Sequence, residues 1–393
     1  MEKECLTNEY IRRHKNFCCG CHACLNICPA RAIQMQMDQE GFLYPVIDEK
    51  KCIKCGQCAA VCQMLNLTKS TSGKIREAYA YLNPDLEERL ASSSGGIFIQ
   101  LAKYVIANGG RVFGAAFNDD MNVRHMQATD VAGCRKFMGA KYVQSVIGTT
   151  FKDTREALKS GKLVLFTGTP CQIHGLKLFL KRDYDNLITA SIVCYGVPSP
   201  LIFRKCMMEL EHREGSKIKS IRFRDKRKGW QQSYVEYKFE NGKIFSGPLA
   251  EDIYIKGFFA NLYLRPSCHQ CINREGNSFS DLTIGDYWGI DKLDPDLNDG
   301  KGASIVLIYT DKGKSFFQKA TNLKGTRKVD IEGVIQHNPR IINSEKRNRN
   351  RNSFFKEFEA NDLPVGDLIL KFRYTPSHWV RFRDKIRNWF HKV

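Results

Sequence analysis

The sequence predicts an α+β / α/β protein in which a small cysteine-rich domain precedes a larger domain built on a mixed sheet. Two observations support this prediction. Two runs of four cysteines lie within residues 18–62. Beyond residue 75, apolar strand-like runs such as 163–166 alternate with amphipathic helical stretches, which is the pattern of an α/β sheet.

The two cysteine runs have the same spacing, with gaps of two, two and three residues between successive cysteines. Pro29 follows the first run, whereas Gln63 follows the second. This is the spacing of bacterial ferredoxins with two 4Fe-4S clusters, in which three cysteines of a run wrap one cluster and the fourth reaches the other. We therefore predict one ligand set of Cys18, Cys21, Cys24 and Cys62, and a second set of Cys52, Cys55, Cys58 and Cys28.

A pair of zinc sites is the alternative for these runs, because the Cys-x2-Cys element also binds zinc. Zinc knuckles use two such pairs and not two runs of four cysteines, so the iron-sulfur interpretation is favoured. Cys19 is left out, since with Cys21 it would form a spacing too short for the loop. Cys5 has no partner at a recognisable spacing.

Composition limits the class of protein. The chain has 393 residues, 42% of them hydrophobic, and a mean hydropathy of -0.39, which predicts a soluble protein of two or three domains. We find no signal peptide and no run of about 18 apolar residues, and so predict a cytoplasmic location. Sixteen cysteines in a reducing compartment favour metal ligation over disulfides.

The formal net charge is +19. Such a charge attracts acidic partners, including polyanionic coenzymes and acidic redox proteins, although a solvated basic surface is the favoured explanation. Nucleic-acid binding would depend on charge alone, and we predict no nucleic-acid partner.

The remaining elements follow from periodicity and turn residues. A hairpin is predicted between the cysteine runs at 37–48, and a linker at 68–74. Strands are predicted at 76–82, 109–117, 123–129, 163–166, 187–193, 218–224, 234–239 and 281–289. Helices are predicted after Gly96 and after Pro170 and at 154–160, and residues 303–330 are predicted to form a strand, a helix and a strand.

Four further cysteines stand in turn-like contexts: Cys171, Cys194, Cys268 and Cys271. The first two follow buried strands, at the sheet edge where α/β proteins bind ligands. Our hypothesis is that the four bind a third 4Fe-4S cluster. The alternative is that they are small buried hydrophobes beside a lone Cys-x2-Cys pair. Cys134 and Cys206 lie in helical surroundings and are predicted to be structural.

The turn Ser92–Gly96 opens an amphipathic helix. Its backbone N–H groups and the positive end of the helix dipole would suit a phosphate. The local signal is weak, because any capped helix looks similar.

Several motifs occur in an order that resembles the family of the coenzyme F420 hydrogenase/dehydrogenase beta subunit. They are Ser92–Gly96, Lys141–Ser145, Gly168–Gln172, Cys194–Pro200, the pair Cys268 and Cys271, and Gly285–Gly289. The resemblance covers about residues 75–335, and a fused dicluster ferredoxin is a known arrangement in this family.

The resemblance implies an iron-sulfur flavoprotein that binds FAD beside the third cluster. It implies these possible FAD contacts: Ser93, Ser94, Gly95, Gly96, Lys141, Ser145 and Thr169. The predicted fold is thus a small bacterial-type dicluster ferredoxin domain followed by a mixed-sheet α/β flavin-binding domain. Its predicted parts are the ferredoxin domain 1–73, the N-terminal part 74–155 and C-terminal part 156–340 of the second domain, and a basic tail 341–393.

The implied activity is an oxidoreductase that passes electrons between a two-electron donor, FAD and the clusters. The donor would be F420H2-like or NAD(P)H, and the partner a redox protein, an enzyme or a ferredoxin. No G-x-G-x-x-G signature supports NAD(P)H. No catalytic residue is predicted, and His174 and Asp286 are interpreted as structural. The alternative function is a pure electron-transfer subunit without a substrate of its own, serving a polysaccharide-assembly pathway.

The C-terminal region is basic. Residues 346–351 are predicted to form a solvated loop. From Trp379, aromatic and aliphatic residues recur at helical spacing among arginines and lysines. Such a helix can lie on anionic lipid at the inner face of a membrane, or pack on its own domain.

Overall fold

The N-terminal part of the chain is a small α+β unit. The structure is a computed structural model that describes residues 6–66, 73–274 and 278–373. Residues 6–66 contain α1 (Asn8–Arg13), α2 (Ala23–Ile27), β1 (Ile33–Met37), β2 (Leu43–Ile47) and α3 (Gln57–Ala60). Strands β1 and β2 pair antiparallel. The hairpin thus begins four residues before the predicted range 37–48, since its first strand pairs Ile33 with Ile47.

A mixed eight-stranded sheet is the centre of the larger part, as the sequence predicted. The strands that follow the hairpin are β3 (Glu77–Tyr81), β4 (Arg111–Phe117), β5 (Val123–Ala128), β6 (Val164–Gly168), β7 (Leu187–Ile192), β8 (Ile218–Asp225), β9 (Tyr234–Phe239), β10 (Ile244–Pro248), β11 (Leu282–Asp286), β12 (Ser304–Ile308) and β13 (Thr326–Val329). The order in the large sheet is β13-β3-β12-β11-β7-β6-β4-β5. The central strands β11, β7, β6 and β4 are parallel, and antiparallel strands flank them.

Helices cover both faces of this sheet. The helices after α3 are α4 (Leu86–Ala91), α5 (Ile97–Ala107), α6 (Val131–Arg135), α7 (Thr150–Lys159), α8 (Pro170–Leu180), α9 (Pro200–Glu214), α10 (Ile253–Phe259), α11 (Ile290–Leu293), α12 (Asp311–Thr321), α13 (Ile331–His337), α14 (Arg351–Ala360) and α15 (Val365–Phe372). Helices α5 and α12 share one apolar cluster with the sheet, and α7 and α8 share another. The continuous apolar runs of β6 and β12 follow from this burial on two sides.

A second, antiparallel sheet has the order β10-β9-β8. It shares an apolar cluster with α9, α10, α14 and α15. The turn between β9 and β10 contains Asn241 and Gly242, the predicted hairpin signal, and Gly242 has a φ of 83°.

The prediction of a solvated loop at 346–351 is wrong for Arg351. This residue begins α14 and is 1% exposed. Its Nη1 donates to Glu40 Oε1 at 2.7 Å, so it joins the small N-terminal part to the larger part. A bidentate arginine–carboxylate pair satisfies the buried charge, which a basic run in the sequence does not reveal.

Two predicted features lie outside the described residues. They are the amphipathic helix from Trp379 and most of the linker 68–74. In the described ranges, no helix combines the length and the apolar composition that a membrane span requires.

Candidate functional site

A cavity of about 490 Å³ opens at the carboxyl ends of β6, β7 and β11. Thr167, Ile192 and Asp286, from the ends of those strands, line it. Aromatic and small residues form most of its remaining wall, among them Phe137 and Tyr142. A cavity of this size and lining is typical of a cofactor or small-molecule site, and this sheet edge is where α/β proteins place one.

Six of the seven residues predicted to contact FAD line this cavity: Ser93, Ser94, Gly96, Lys141, Ser145 and Thr169. Gly95 is not in the lining. A Cβ at this position would lie 2.1 Å from Tyr81 O, so the absence of a side chain lets the turn pack directly on the sheet. The Gly95 N–H donates to Ser304 Oγ at 2.9 Å.

The turn before α5 is held in place by its own hydrogen bonds. Ser93 Oγ accepts from the Ala140 N–H at 2.6 Å, and Ser94 Oγ donates to Ala303 O at 2.7 Å. Gly96 adopts a φ of 86° and begins α5 without a side-chain cap. The first N–H groups of an 11-residue helix therefore stand at the cavity wall, where they fit an anionic group.

Lys141 brings a cation to the same wall. Its Nζ donates to Met138 O at 2.8 Å and to Gly139 O at 3.2 Å. Burial lowers the pKa of Lys141 to about 7, since only neutral carbonyl groups compensate its charge. A phosphate in the cavity would supply the missing negative charge.

A buried polar network in the cavity was not predicted. His125 Nδ1 lies 2.8 Å from Ser145 Oγ, and Gln172 Nε2 donates to the same oxygen at 3.0 Å. Burial lowers the pKa of His125 to about 4, so the ring is neutral. His125 sits on β5 among polar neighbours, and no motif in the sequence marked it.

The four cysteines proposed for a third cluster come together. Their thiols are near enough to raise one another's pKa values electrostatically; the four residues are Cys171, Cys194, Cys268 and Cys271. The Val197 N–H points at Cys268 Sγ at 3.4 Å, a contact that suits a cluster-bound thiolate. Cys194 also lines the cavity, and Thr169 Oγ1 lies 3.1 Å from Cys171 Sγ. A 4Fe-4S cluster held by this set would thus adjoin the cavity.

The first predicted ferredoxin set also comes together. The Cys24 thiol interacts electrostatically with Cys18, Cys21 and Cys62, and burial is the main reason that its pKa is raised. In the second set, Cys28, Cys52 and Cys58 pack around one apolar cluster, whereas Cys55 is exposed. The Ala32 N–H lies 3.3 Å from Cys28 Sγ. Four thiols per set are the donors that a 4Fe-4S cluster requires.

Cys19 lies between the first set and the third. Its thiol lies beside those of Cys21 and Cys171, and the interaction with Cys19 lowers the pKa of Cys171. The cysteine spacing, which excluded Cys19 as a ligand, did not predict that Cys19 lies between two cysteine sets. The helix α8 carries Cys171 at its start and Gly175 one turn later, where a Cβ would lie 2.9 Å from Cys21 Sγ.

Cys134 and Cys206 lie in α6 and α9 and are buried in apolar clusters, as predicted for structural residues.

His174 stacks on Phe279 with ring centroids 3.6 Å apart, and its Nδ1 lies 2.9 Å from Asn273 Oδ1. In the described ranges, no group of three or more ligand-type side chains is arranged closely enough to hold a single metal ion.

Two family matches define an iron-sulfur protein related to subunits of oxidoreductases. Residues 17–64 match the 4Fe-4S dicluster domain family. Residues 161–332 match the family described as the C terminus of the coenzyme F420 hydrogenase/dehydrogenase beta subunit. The beta-subunit family thus matches the region that follows an N-terminal dicluster domain, and the resemblance drawn from the sequence motifs is confirmed.

Two curated relatives carry F420 in their names. The chain is 22% identical over 391 residues to the coenzyme F420-dependent sulfite reductase of Methanocaldococcus jannaschii. This alignment covers 95% of the chain but 56% of the relative, so the chain spans little more than half of that protein. The chain is also 20% identical to the F subunit of the F(420)H(2) dehydrogenase of Methanosarcina mazei, and this alignment covers 76% of the chain and 81% of the relative.

A solved structure is also similar. It is the F420-reducing [NiFe] hydrogenase complex from Methanosarcina barkeri in a xenon derivative, with a TM-score of 0.46 and 20% sequence identity. The match covers 69% of this chain and 93% of the matched chain.

Proposed function

We propose that this protein transfers electrons between a two-electron donor, an FAD in the cavity, and three 4Fe-4S clusters, and passes them to a redox partner. The single observation that carries the proposal is the position of Cys194, which lines the cavity and belongs to the four-cysteine group. FAD, when bound, would interconvert the two electrons of one hydride and the single electrons that clusters carry.

The residues of the chain have distinct parts in this proposal. The uncapped start of α5 and Lys141 would hold the phosphates of FAD. Ser145 Oγ, which His125 and Gln172 hold in place, would accept a hydrogen bond from the cofactor at the polar part of the wall. Thr169 lies against Cys171, and Cys19 connects Cys171 to Cys21. This order of contacts describes one electron path from the cavity to the dicluster domain.

Two relatives named for F420 favour an F420H2-like donor over NAD(P)H. The redox partner is proposed to be acidic, because the chain carries a formal net charge of +19.

The test is to purify the protein without oxygen and measure iron, acid-labile sulfide and flavin per chain. We expect about twelve irons and one FAD, and reduction of the flavin by F420H2 in stopped-flow measurements. About eight irons without flavin would contradict the proposal and indicate a dicluster electron carrier.

A further inference from the structure

Arg224 occupies an unusual backbone position at the end of β8. Its φ is 64°, in the left-handed region that side chains other than glycine rarely adopt. The pairing of β8 with β9 shifts register between Arg222 and Asp225, so Arg224 lies in a bulge. Bulges redirect a side chain, and non-glycine residues in strained geometry cluster at functional sites. Here the redirected side chain is part of the cavity wall.

The guanidinium of Arg224 is held on one side only. Its Nη1 donates to Asp286 Oδ2 at 2.9 Å, while Asp286 Oδ1 accepts from Trp230 Nε1 at 3.3 Å. Nε and Nη2 of Arg224 are buried and have no hydrogen-bond partner in the part of the chain that the structure describes. The Tyr142 phenol lies beside this guanidinium and stabilises its charge, including through a hydrogen-bonding contact, but among the described residues Nε and Nη2 have no partner at normal hydrogen-bond geometry.

The two unpartnered nitrogens form one edge of the guanidinium plane. Their N–H bonds are nearly parallel, which is the arrangement that binds two oxygens of a carboxylate or phosphate. The Arg224 side chain is 7% exposed, so an anion that reaches this edge would be bound with little competition from water.

The surroundings of Arg224 also suit an anionic, planar ligand. Among the described residues that line the cavity, Lys141, Arg224 and Arg340 are cationic and Asp286 is the one carboxylate. Trp288 lines the cavity, is 39% exposed, and lies under the Arg224 guanidinium at 5.3 Å. Its indole stacks on Trp230 with ring centroids 5.0 Å apart, which fixes the ring.

We propose that the Nε–Nη2 edge of Arg224 binds a carboxylate or phosphate group of a ligand in this cavity, beside the ring of Trp288. The proposal rests on the proposed function, because the ligand is taken to be either FAD or its two-electron donor. Both carry such groups, so the shared chemistry is an anionic pair of oxygens.

The test uses Arg224→Gln and Arg224→Lys in the full-length protein, purified without oxygen. Arg222→Gln is the matched control, since Arg222 lies on the same strand, is 43% exposed and pairs with Asp225. Arg224→Lys keeps the charge and removes the two-donor edge, which makes it informative if Arg224→Gln folds poorly. Folding is checked by thermal unfolding and by iron content.

Three binding measurements identify the source of the anion. We expect Arg224→Gln to raise the Kd of FAD, or the KM for F420H2, by about 10- to 100-fold, and Arg222→Gln to change neither. Weaker FAD binding would assign the subsite to the cofactor. A higher KM for F420H2 at unchanged flavin content and kcat would assign it to the donor. Binding of inorganic pyrophosphate, measured by calorimetry, is expected to weaken in Arg224→Gln alone.

The proposal is overturned if folded Arg224 variants bind FAD, F420H2 and pyrophosphate within twofold of the wild type. The pyrophosphate measurement needs neither flavin nor activity. A wild-type protein without flavin whose pyrophosphate binding depends on Arg224 would therefore refute the proposed function and support the anion subsite.

Discussion

Arg265 donates from Nε to the carbonyl oxygen of Cys18 at 2.7 Å, and its Nη2 lies 3.9 Å from Cys18 Sγ. The guanidinium is 0% exposed and also contacts Leu43 O at 2.9 Å and Gln144 Oε1 at 3.0 Å. Arg265 precedes Cys268 by one turn, and its carbonyl accepts from the Cys268 N–H. One buried cation thus joins the loop of the first cysteine set to the loop of the third.

We predict that Arg265→Gln lowers the reduction potential of the cluster held by Cys18. Reduction adds negative charge to a cluster, and a buried cation beside a ligand favours that state. The lost hydrogen bonds to a charged group should also reduce the free energy of unfolding by at least about 2 kcal/mol. The measurement is a redox titration followed by electron paramagnetic resonance. Arg13→Gln should leave the potential unchanged, because Arg13 lies in the small N-terminal part that contains Cys18 but is 73% exposed.

Replacing a cysteine of the third set should remove one cluster and no more. We expect Cys268→Ser to lower the iron content from about twelve to about eight per chain, because a cluster needs its fourth thiolate. Cys206→Ser is the matched control, since Cys206 is buried in an apolar cluster of α9. Equal iron content in the two variants would show that the third set holds no cluster.

The lowered pKa of Lys141 predicts that FAD binding depends on pH. Its pKa of about 7 in the free protein means that the ammonium loses its proton as the pH rises through 7. A bound phosphate favours the charged form, so FAD affinity should be greatest below pH 7 and decline above it. Fluorescence titrations at several pH values measure this decline. Lys141→Arg, which stays charged, should bind FAD with a flat profile, and Lys141→Met should bind it about 10- to 100-fold more weakly at pH 6.

A single methyl group on α8 should disturb the first cysteine set. In Gly175→Ala the new Cβ would lie 2.8 Å from Cys21 Cβ and 2.9 Å from Cys21 Sγ, too close for a rigid ligand loop. We expect altered cluster spectra and a loss of about 1–3 kcal/mol in the free energy of unfolding. Gly247→Ala is the control, because a Cβ there meets no atom within 4 Å. An unchanged spectrum and stability in Gly175→Ala would mean that α8 does not fix Cys21.

The features that could be predicted from the sequence are those that depend on a short segment of the chain. Cysteine spacing, the apolar run of β6 and the turn before α5 each lie within a dozen residues, and local sterics decide them. Arg265 and Arg351 could not be found in this way, because their partners Cys18 and Glu40 are 247 and 311 residues away. Gly95 lies in a correctly predicted turn, but its close packing on Tyr81 becomes visible only when the sheet is assembled.

The contrast between buried Cys18 and exposed Cys55 has a consequence for oxygen damage. On the proposed ligand assignment, dissolved oxidants would reach the second ferredoxin set through the exposed Cys55 before they reach Cys18 of the first set. Inactivation in air should therefore begin with loss of the second ferredoxin cluster, while the cluster held by Cys18 remains intact for longer.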